Sequence, residues 1–177
     1  MRTSLVLTVV GDDRPGLVST LSDTIAAFDG NWTETRMASL GGKFAGILLV
    51  TVPQPRADAL IGALGKLEAP SLRLVIGRSA VAAPAGSRLL ELDLVGHDRP
   101  GIVRDISHLL AERGVNIEEL ETACVSGSFS GETLFKAQAR LRVPRELATA
   151  ELRTVLEALA NELMVDVSLD EAGAHDD

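Results

Sequence analysis

One motif occurs twice in this chain of 177 residues. Gly-Asp-Asp-Arg-Pro-Gly-Leu-Val at residues 11–18 returns as Gly-His-Asp-Arg-Pro-Gly-Ile-Val at residues 96–103, an offset of 85 (96 minus 11). Asn31 and Glu34 are repeated at the same offset, as Asn116 and Glu119. A turn motif with downstream residues held in register indicates a duplicated domain. The chain is therefore expected to fold as two similar small domains.

Both repeats have the pattern strand, helix, strand, strand, helix, strand. In the first repeat an apolar run at residues 5–10 precedes a helical stripe, and Gly41-Gly42 marks the turn between two strands. We predict domains at 1–79 and 88–170, an alanine-rich linker at 80–87 and an acidic tail at 171–177. Pro144 corresponds to Pro53 at an offset of 91 (144 minus 53), so the second hairpin loop, Ser126–Gly131, is longer by six residues (91 minus 85).

The outer faces of the two predicted sheets differ. The strand at 133–143 alternates apolar with charged residues, which predicts one solvated face. The strands at 5–10 and 43–52 are apolar on both sides. We expect the outer face of the first repeat to be covered by the other repeat, a second subunit or a partner protein.

Composition excludes several functional classes. The formal net charge is −8, and no lysine or arginine cluster offsets it, so direct nucleic-acid binding is not expected. Cys124 is the only cysteine, which rules out an internal disulfide and favours a cytoplasmic location. No apolar stretch reaches the length of a membrane span.

Catalytic signatures are missing from the sequence. It contains no nucleophile elbow, phosphate-binding loop or dinucleotide fingerprint. Cys124 is expected to be a buried, inert thiol, and the glutamates at 118, 119 and 121 a solvated strand end. The histidines lack metal-ligand spacing; they are His97, His108 and His175. We expect a protein that is not an enzyme and has no metal or cofactor.

The repeated turn allows two interpretations. In the structural one, Asp13 and Asp98 cap the helix that follows. In the functional interpretation, the free amides of the helix N-terminus bind a carboxylate, and this binding position is called the anion seat. Gly16 and Gly101 then let a ligand approach the backbone.

The repeated asparagines extend the functional interpretation. Asn31 and Asn116 begin the strand after each helix, and we expect them on the opposite wall of the same end of the domain. An amide both donates and accepts hydrogen bonds, which suits an α-amino acid. A purely structural role in the turn stays open for both residues.

At these residues the sequence resembles the ACT-domain family of amino-acid-binding regulatory modules. The resemblance rests on Asp-Arg-Pro-Gly-(Leu/Ile)-Val, followed by Gly-Asn-Trp at 30–32 or Val-Asn-Ile at 115–117. It implies an α+β fold of two tandem ferredoxin-like βαββαβ domains, with antiparallel sheets and helices on one face. It also implies a ligand where two modules meet, with contacts from Asp13, Arg14, Gly16, Asn31, Asp98, Arg99, Gly101 and Asn116.

Two such modules in one chain resemble the glycine cleavage system transcriptional repressors. The stretch 37–44 is similar to the first hairpin of that group. The resemblance implies a regulator that senses glycine or a similar small amino acid and acts through a protein partner, a transcriptional activator. A regulatory subunit of a separately encoded amino-acid enzyme is the alternative. The effector, the use of both sites and a homo-oligomeric state stay open.

Overall fold

The computed structural model describes residues 1–78, 86–126 and 133–172 and divides the chain into two compact units, Met1–Ala82 and Ala83–Asp177. Most of the predicted linker, nearly all of the predicted longer hairpin loop and most of the predicted acidic tail lie outside the described residues. No helix in the described part of the chain is long and apolar enough to cross a membrane.

The first unit contains four strands, two α-helices and a 3-10 helix, Gln54–Arg56. Its strands and α-helices, in chain order, are β1 (Arg2–Asp12), α1 (Leu17–Ala26), β2 (Asn31–Leu40), β3 (Lys43–Pro53), α2 (Ala57–Gly65) and β4 (Leu72–Arg78). The second unit repeats this order as β5 (Ser87–His97), α3 (Ile102–Glu112), β6 (Asn116–Ser126), β7 (Thr133–Pro144), α4 (Thr149–Leu163) and β8 (Val165–Glu171).

Each unit forms a four-stranded sheet in which all neighbours are antiparallel. The strand orders are β2-β3-β1-β4 and β6-β7-β5-β8, so β2 and β6 are edge strands. Both edge strands carry a bulge at the same repeat position, between Trp32 and Glu34 and between Ile117 and Glu119. The predicted βαββαβ fold is confirmed in both units.

The helices of each unit cover one face of its sheet. In the first unit Leu5 and Leu7 of β1 pack in one core cluster with residues of α1 and α2, and all are buried. Alternate residues of β1 face the other way. This arrangement buries one face of the sheet and leaves the other open.

The two open faces differ as predicted. On the first sheet Val10, Ile47 and Val75 are 45%, 55% and 69% exposed. On β7 of the second sheet, Lys136 and Gln138 are exposed while Phe135 and Ala139 are buried. The expectation that another surface covers the apolar face remains a prediction.

Candidate functional site

Each repeated turn ends in a glycine that begins a helix. Gly16 has φ 93° and Gly101 has φ 100°, a left-handed conformation that favours glycine. The first helical hydrogen bonds run from the Thr20 amide to the Gly16 carbonyl and from the Asp105 amide to the Gly101 carbonyl, both at 2.9 Å. By helix geometry, the amides of the three residues after each glycine lack an acceptor within the helix. Both turns therefore offer amides that favour an anion. At Gly101, however, the Arg104 guanidinium lies 3.1 Å from the position that a Cβ would take, whereas at Gly16 only Ser19 Oγ, at 3.8 Å, lies within 4 Å of that position.

The prediction that the motif aspartates cap the helices is wrong. The residue at the N-cap is the glycine, and no side chain caps either helix. The Asp13 carboxylate instead accepts a hydrogen bond from Ser39 Oγ at 2.5 Å. Asp98 forms the equivalent contact with the Cys124 thiol. Because the glycine follows the aspartate by three residues, the carboxylate points to the hairpin rather than to the helix start.

The partners of the two aspartates are a repeat pair that sequence reasoning missed. Ser39 and Cys124 are 85 residues apart (124 minus 39), the offset of the motif, and both can donate a hydrogen bond. Backbone hydrogen bonds reinforce the link, from the Asp13 amide to the Gly42 carbonyl and from the Asp98 amide to Thr133, each at 3.0 Å. Each turn is thus tied to the adjacent hairpin.

Cys124 is exposed, so the prediction of a buried thiol is wrong. Desolvation, followed by the negative charge of Asp98, raises the pKa of the Cys124 thiol above its ordinary value. The thiol therefore keeps its proton at neutral pH and donates to the Asp98 carboxylate. A protonated thiol is a weak nucleophile.

Two exposed cations and one carboxylate lie at the first turn. Arg14 and Gly16 line an open cavity of about 350 Å³ on the side of the turn facing the end of α2, and Lys66 and Glu68 line the same cavity. Both Arg14 and Lys66 are exposed. Two cations beside a helix N-terminus favour an anionic ligand. Lys66 was not singled out from the sequence because it lies about fifty residues from the motif.

The charged side chains near the second helix start are arranged differently from those near the first. Arg99 is half-buried, and one of its guanidinium nitrogens lies 3.4 Å from the Glu162 carbonyl at the end of α4. Arg104 pairs with Asp105 at 2.8 Å, and this hydrogen bond holds the pKa of the Asp105 carboxyl below its ordinary value. Ser19 and Thr20 take these two positions in the first repeat, and their hydroxyls donate to the Gly16 carbonyl.

The asparagines do not face the helix starts within their own units. Asn31 pairs with Thr51, which pairs with Ser4 of β1, whereas the turn begins at Gly11, seven residues further along β1 (11 minus 4). At about 3.4 Å per residue this separation is roughly 24 Å. Asn116 is displaced in the same way. The predicted facing arrangement is wrong because each helix runs back along the sheet before the next strand starts.

Both amides are nevertheless available. Asn31 and Asn116 are exposed at the start of an edge strand. The structure thus brings Asp13, Arg14 and Gly16 together in one turn, and Asp98, Arg99 and Gly101 in the other. It places each asparagine at the far end of the same sheet.

Other candidate groups take structural roles. Glu118 forms an ion pair with Arg142, and Glu119 pairs with Arg140 at 3.5 Å, so part of the predicted solvated strand end is engaged in salt bridges. Among the described residues, no group of histidine, cysteine and carboxylate side chains is arranged to hold a metal ion. His175 lies outside the described residues.

Known proteins match this chain along most of its length. The family model described as ACT domain matches residues 3–70 and 89–170. The glycine cleavage system transcriptional repressors of Escherichia coli K12 and Shigella flexneri are each 28% identical over 175 residues, covering 93% of this chain and 88% of theirs.

Two solved structures share the fold of the whole chain. An unknown protein from Galdieria sulphuraria is 35% identical with a TM-score of 0.86, covering 97% of this chain and 99% of its own. A candidate glycine cleavage system transcriptional repressor is 22% identical with a TM-score of 0.64, covering 96% and 97%. Because the family model matches both repeats, this chain belongs to the ACT domain family.

Proposed function

We propose that this protein is a regulator that senses glycine or a similarly small amino acid and acts through a protein partner. The observation that carries the proposal is the duplicated turn. Both units present a helix N-terminus directly after a left-handed glycine, and no side chain caps either helix. The family match and the repressor relatives support a regulatory role.

The carboxylate of the ligand would lie at the helix N-terminus, where unpaired amides and the helix dipole favour negative charge. In the first unit Arg14 and Lys66 add to this field. An amide side chain would hold the ammonium group by accepting a hydrogen bond from it.

That amide would come from a second copy of this chain. β2 and β6 are exposed edge strands, and antiparallel pairing of one such strand with its counterpart in a second copy places the start of one strand near the end of the other. Asn31 would then lie near Ser39 of the second copy, or Asn116 near its Cys124, the residues that contact the motif aspartates. The predicted pairing of turn and amide would then form across two copies of the chain.

The charge of the chain supports a protein target. A net charge of −8 repels the phosphate backbone of nucleic acids. We therefore assign the regulatory output to contact with another protein, a transcriptional activator in the first instance. Recovery of an amino-acid enzyme instead, in glycine-dependent copurification, would favour the role of a regulatory subunit.

Calorimetric titration with glycine, serine and valine tests the proposal. Glycine has few heavy atoms, so the limit of about 1.5 kcal/mol per atom predicts a Kd of roughly 10 µM to 1 mM. Asn31→Ala and Asn116→Ala should each weaken binding tenfold or more, since each removes a hydrogen bond to a charged group. Asn161→Ala, on an exposed position of α4, is the matched control and should bind normally.

Two results would contradict the proposal. If glycine, serine and valine all fail to bind a folded chain, the sensor interpretation is wrong. Equal losses in Asn161→Ala and Asn31→Ala would also count against it, because the effect would then not come from the site.

A further inference from the structure

The open face of the first sheet has an apolar centre with charges on one side. Two rows of cross-strand neighbours form this centre, the first consisting of Glu34, Leu49, Val6 and Gly77 and the second of Arg36, Ile47, Thr8 and Val75. In both rows the charged residue lies on the edge strand β2, and the other three strands contribute uncharged residues. Ile47 and Val75 are more than half exposed. A contiguous apolar surface of this kind marks an interaction site.

The second sheet shows that folding does not require this apolar centre. Its strands pair in the same register, and the six uncharged positions of the two rows are occupied there by Glu91, Asp93, Gln138, Arg140, Ser168 and Asp170. These side chains are typical of a solvated face. Because the same fold forms with either surface, the apolar centre of the first sheet points to a contact outside its own domain.

The two rows are complementary to each other in charge and in size. Consider a second copy packed face to face about a two-fold axis that lies between the sheets, crosses the strands at right angles and runs midway between the rows. This axis keeps the order of the strands and reverses the positions along them, so each row lies over the other row of the second copy. The facing pairs are Glu34 with Arg36, Leu49 with Ile47, Val6 with Thr8 and Gly77 with Val75. Opposite charges face each other, and a glycine faces a valine.

The same axis gives a large overlap of the two faces. It crosses β1 at Leu7 and β3 at Leu48, the middle residues of these two strands. Four strands about 4.8 Å apart and on average about 33 Å long present a face of roughly 630 Å². Two such faces bury about 1,300 Å² together, which lies within the range of about 1,200–2,000 Å² for stable protein interfaces. Twisted sheets pack face to face in this way, with their strands about 30° apart.

We propose that the open face of the first sheet packs against the same face of a second copy of this chain, about this two-fold axis. A groove of about 280 Å³ on the face, lined in part by Val6, Ile47 and Leu49, receives side chains of the other copy. Glu34 and Arg36 pair within one chain at 3.2 Å, and the second copy adds the same pair in reversed order, so the four charges alternate. The contact does not use the strand edges of β2 and β6. It therefore goes beyond the proposed function, does not compete with edge pairing and requires no amino acid.

Sedimentation of the whole chain over a range of concentrations, without amino acids, tests the contact. The chain should associate as its concentration rises. Ile47→Gln and Val75→Ser each introduce the residue that the second repeat has at the same position, so both variants should fold. Each should weaken association about tenfold or more, because both copies lose a buried aliphatic side chain. If edge pairing also forms, each variant should reduce a tetramer to a dimer. Val95→Gln, on the open face of the second sheet and 37% exposed, is the matched control and should associate normally.

Exchange of the two charges tests the orientation of the copies. Glu34→Arg places an arginine opposite Arg36 of the second copy, and Arg36→Glu places a glutamate opposite its Glu34. Each single variant should weaken association about fivefold, a size typical of two exposed ion pairs. The variant with both changes restores opposite charges across the axis and should associate like the unchanged chain.

Three outcomes overturn the proposal. A chain that stays monomeric at every concentration shows that the face is solvated, or is covered by the second unit or by a different protein. Equal association of Ile47→Gln and Val95→Gln shows that the copies meet at another surface, such as the β2 edge. Association of the doubly exchanged variant that is no tighter than that of the single variants excludes this two-fold axis. Glycine binding tests the proposed function and not this contact, so the two proposals can fail separately.

Discussion

Replacing Leu48 with alanine should destabilise the first unit alone. Leu48 is 1% exposed in the first core, and Trp32 packs against the same cluster. Removing its outer carbons costs about 2.4 kcal/mol of transfer free energy at about 0.8 per carbon, and the residual cavity raises the loss to about 3 kcal/mol. A unit of 82 residues at about 0.1 kcal/mol each has roughly 8 kcal/mol of stability. The urea midpoint of this unit should therefore fall by about a third, with an unchanged slope.

The sequence offers a built-in assay for this effect. Trp32 is the only tryptophan, so its emission follows the first unit, whereas far-ultraviolet circular dichroism follows both. Leu156→Ala is the matched control, because Leu156 is 2% exposed in the second unit. Leu156→Ala should lower the urea midpoint of a transition seen by circular dichroism and leave the midpoint of the Trp32 emission unchanged. An equal shift of the Trp32 midpoint in both variants would refute the reasoning, since the two cores would then unfold as one.

Three further changes probe the second turn. Gly101→Ala should destabilise the protein by about 1 kcal/mol, because alanine is strained at φ 100°. Gly62→Ala in α2 is the control, and it should stabilise the protein slightly because the space around Gly62 is open. Thermal unfolding of the two variants compares these effects. Asp98→Asn should speed the reaction of Cys124 with a disulfide reagent at pH 8, because loss of the carboxylate lowers the pKa of the thiol. An unchanged rate would show that the Asp98 charge does not affect the Cys124 thiol. The pKa of the Asp105 carboxyl is lower in the folded protein than its ordinary value of about 3.8. The folded protein is therefore stabilised above pH 3.8, and this stabilisation is lost as the pH falls through the folded pKa. Asp105→Asn should flatten the dependence of the free energy of unfolding on pH between about pH 5 and 2.

The arrangement of elements could be read from periodicity and turn residues. The sequence predicts that the second strand begins at Asn31 and ends before the Gly41-Gly42 turn, and β2 lies there, at Asn31–Leu40. β1 extends beyond the predicted 5–10 to Arg2–Asp12. Its flanking polar residues carry no apolar signal, but they pair along the whole of β3.

The candidate site was predicted in part. The left-handed glycines agree with the expectation that these positions favour a residue without a Cβ, whereas a role of the turns in binding a ligand stays a prediction. The aspartate contacts with Ser39 and Cys124 could not be predicted, since they depend on which end of the hairpin reaches the turn. A search for further pairs at the repeat offset would have found these two residues.

The sequence by itself determined the duplication, the order of elements and the position of each helix start, since these depend on local patterns and on a backbone conformation that glycine favours. Only the tertiary structure decided that each asparagine lies at the far end of its own sheet from the repeated turn. The reason is that the helix between the turn and the asparagine runs back along the sheet. It also decided that the core of the second unit holds a small apolar cavity. Packing depends on the combined volume of side chains that are distant in sequence, such as Ile117 and Ala139.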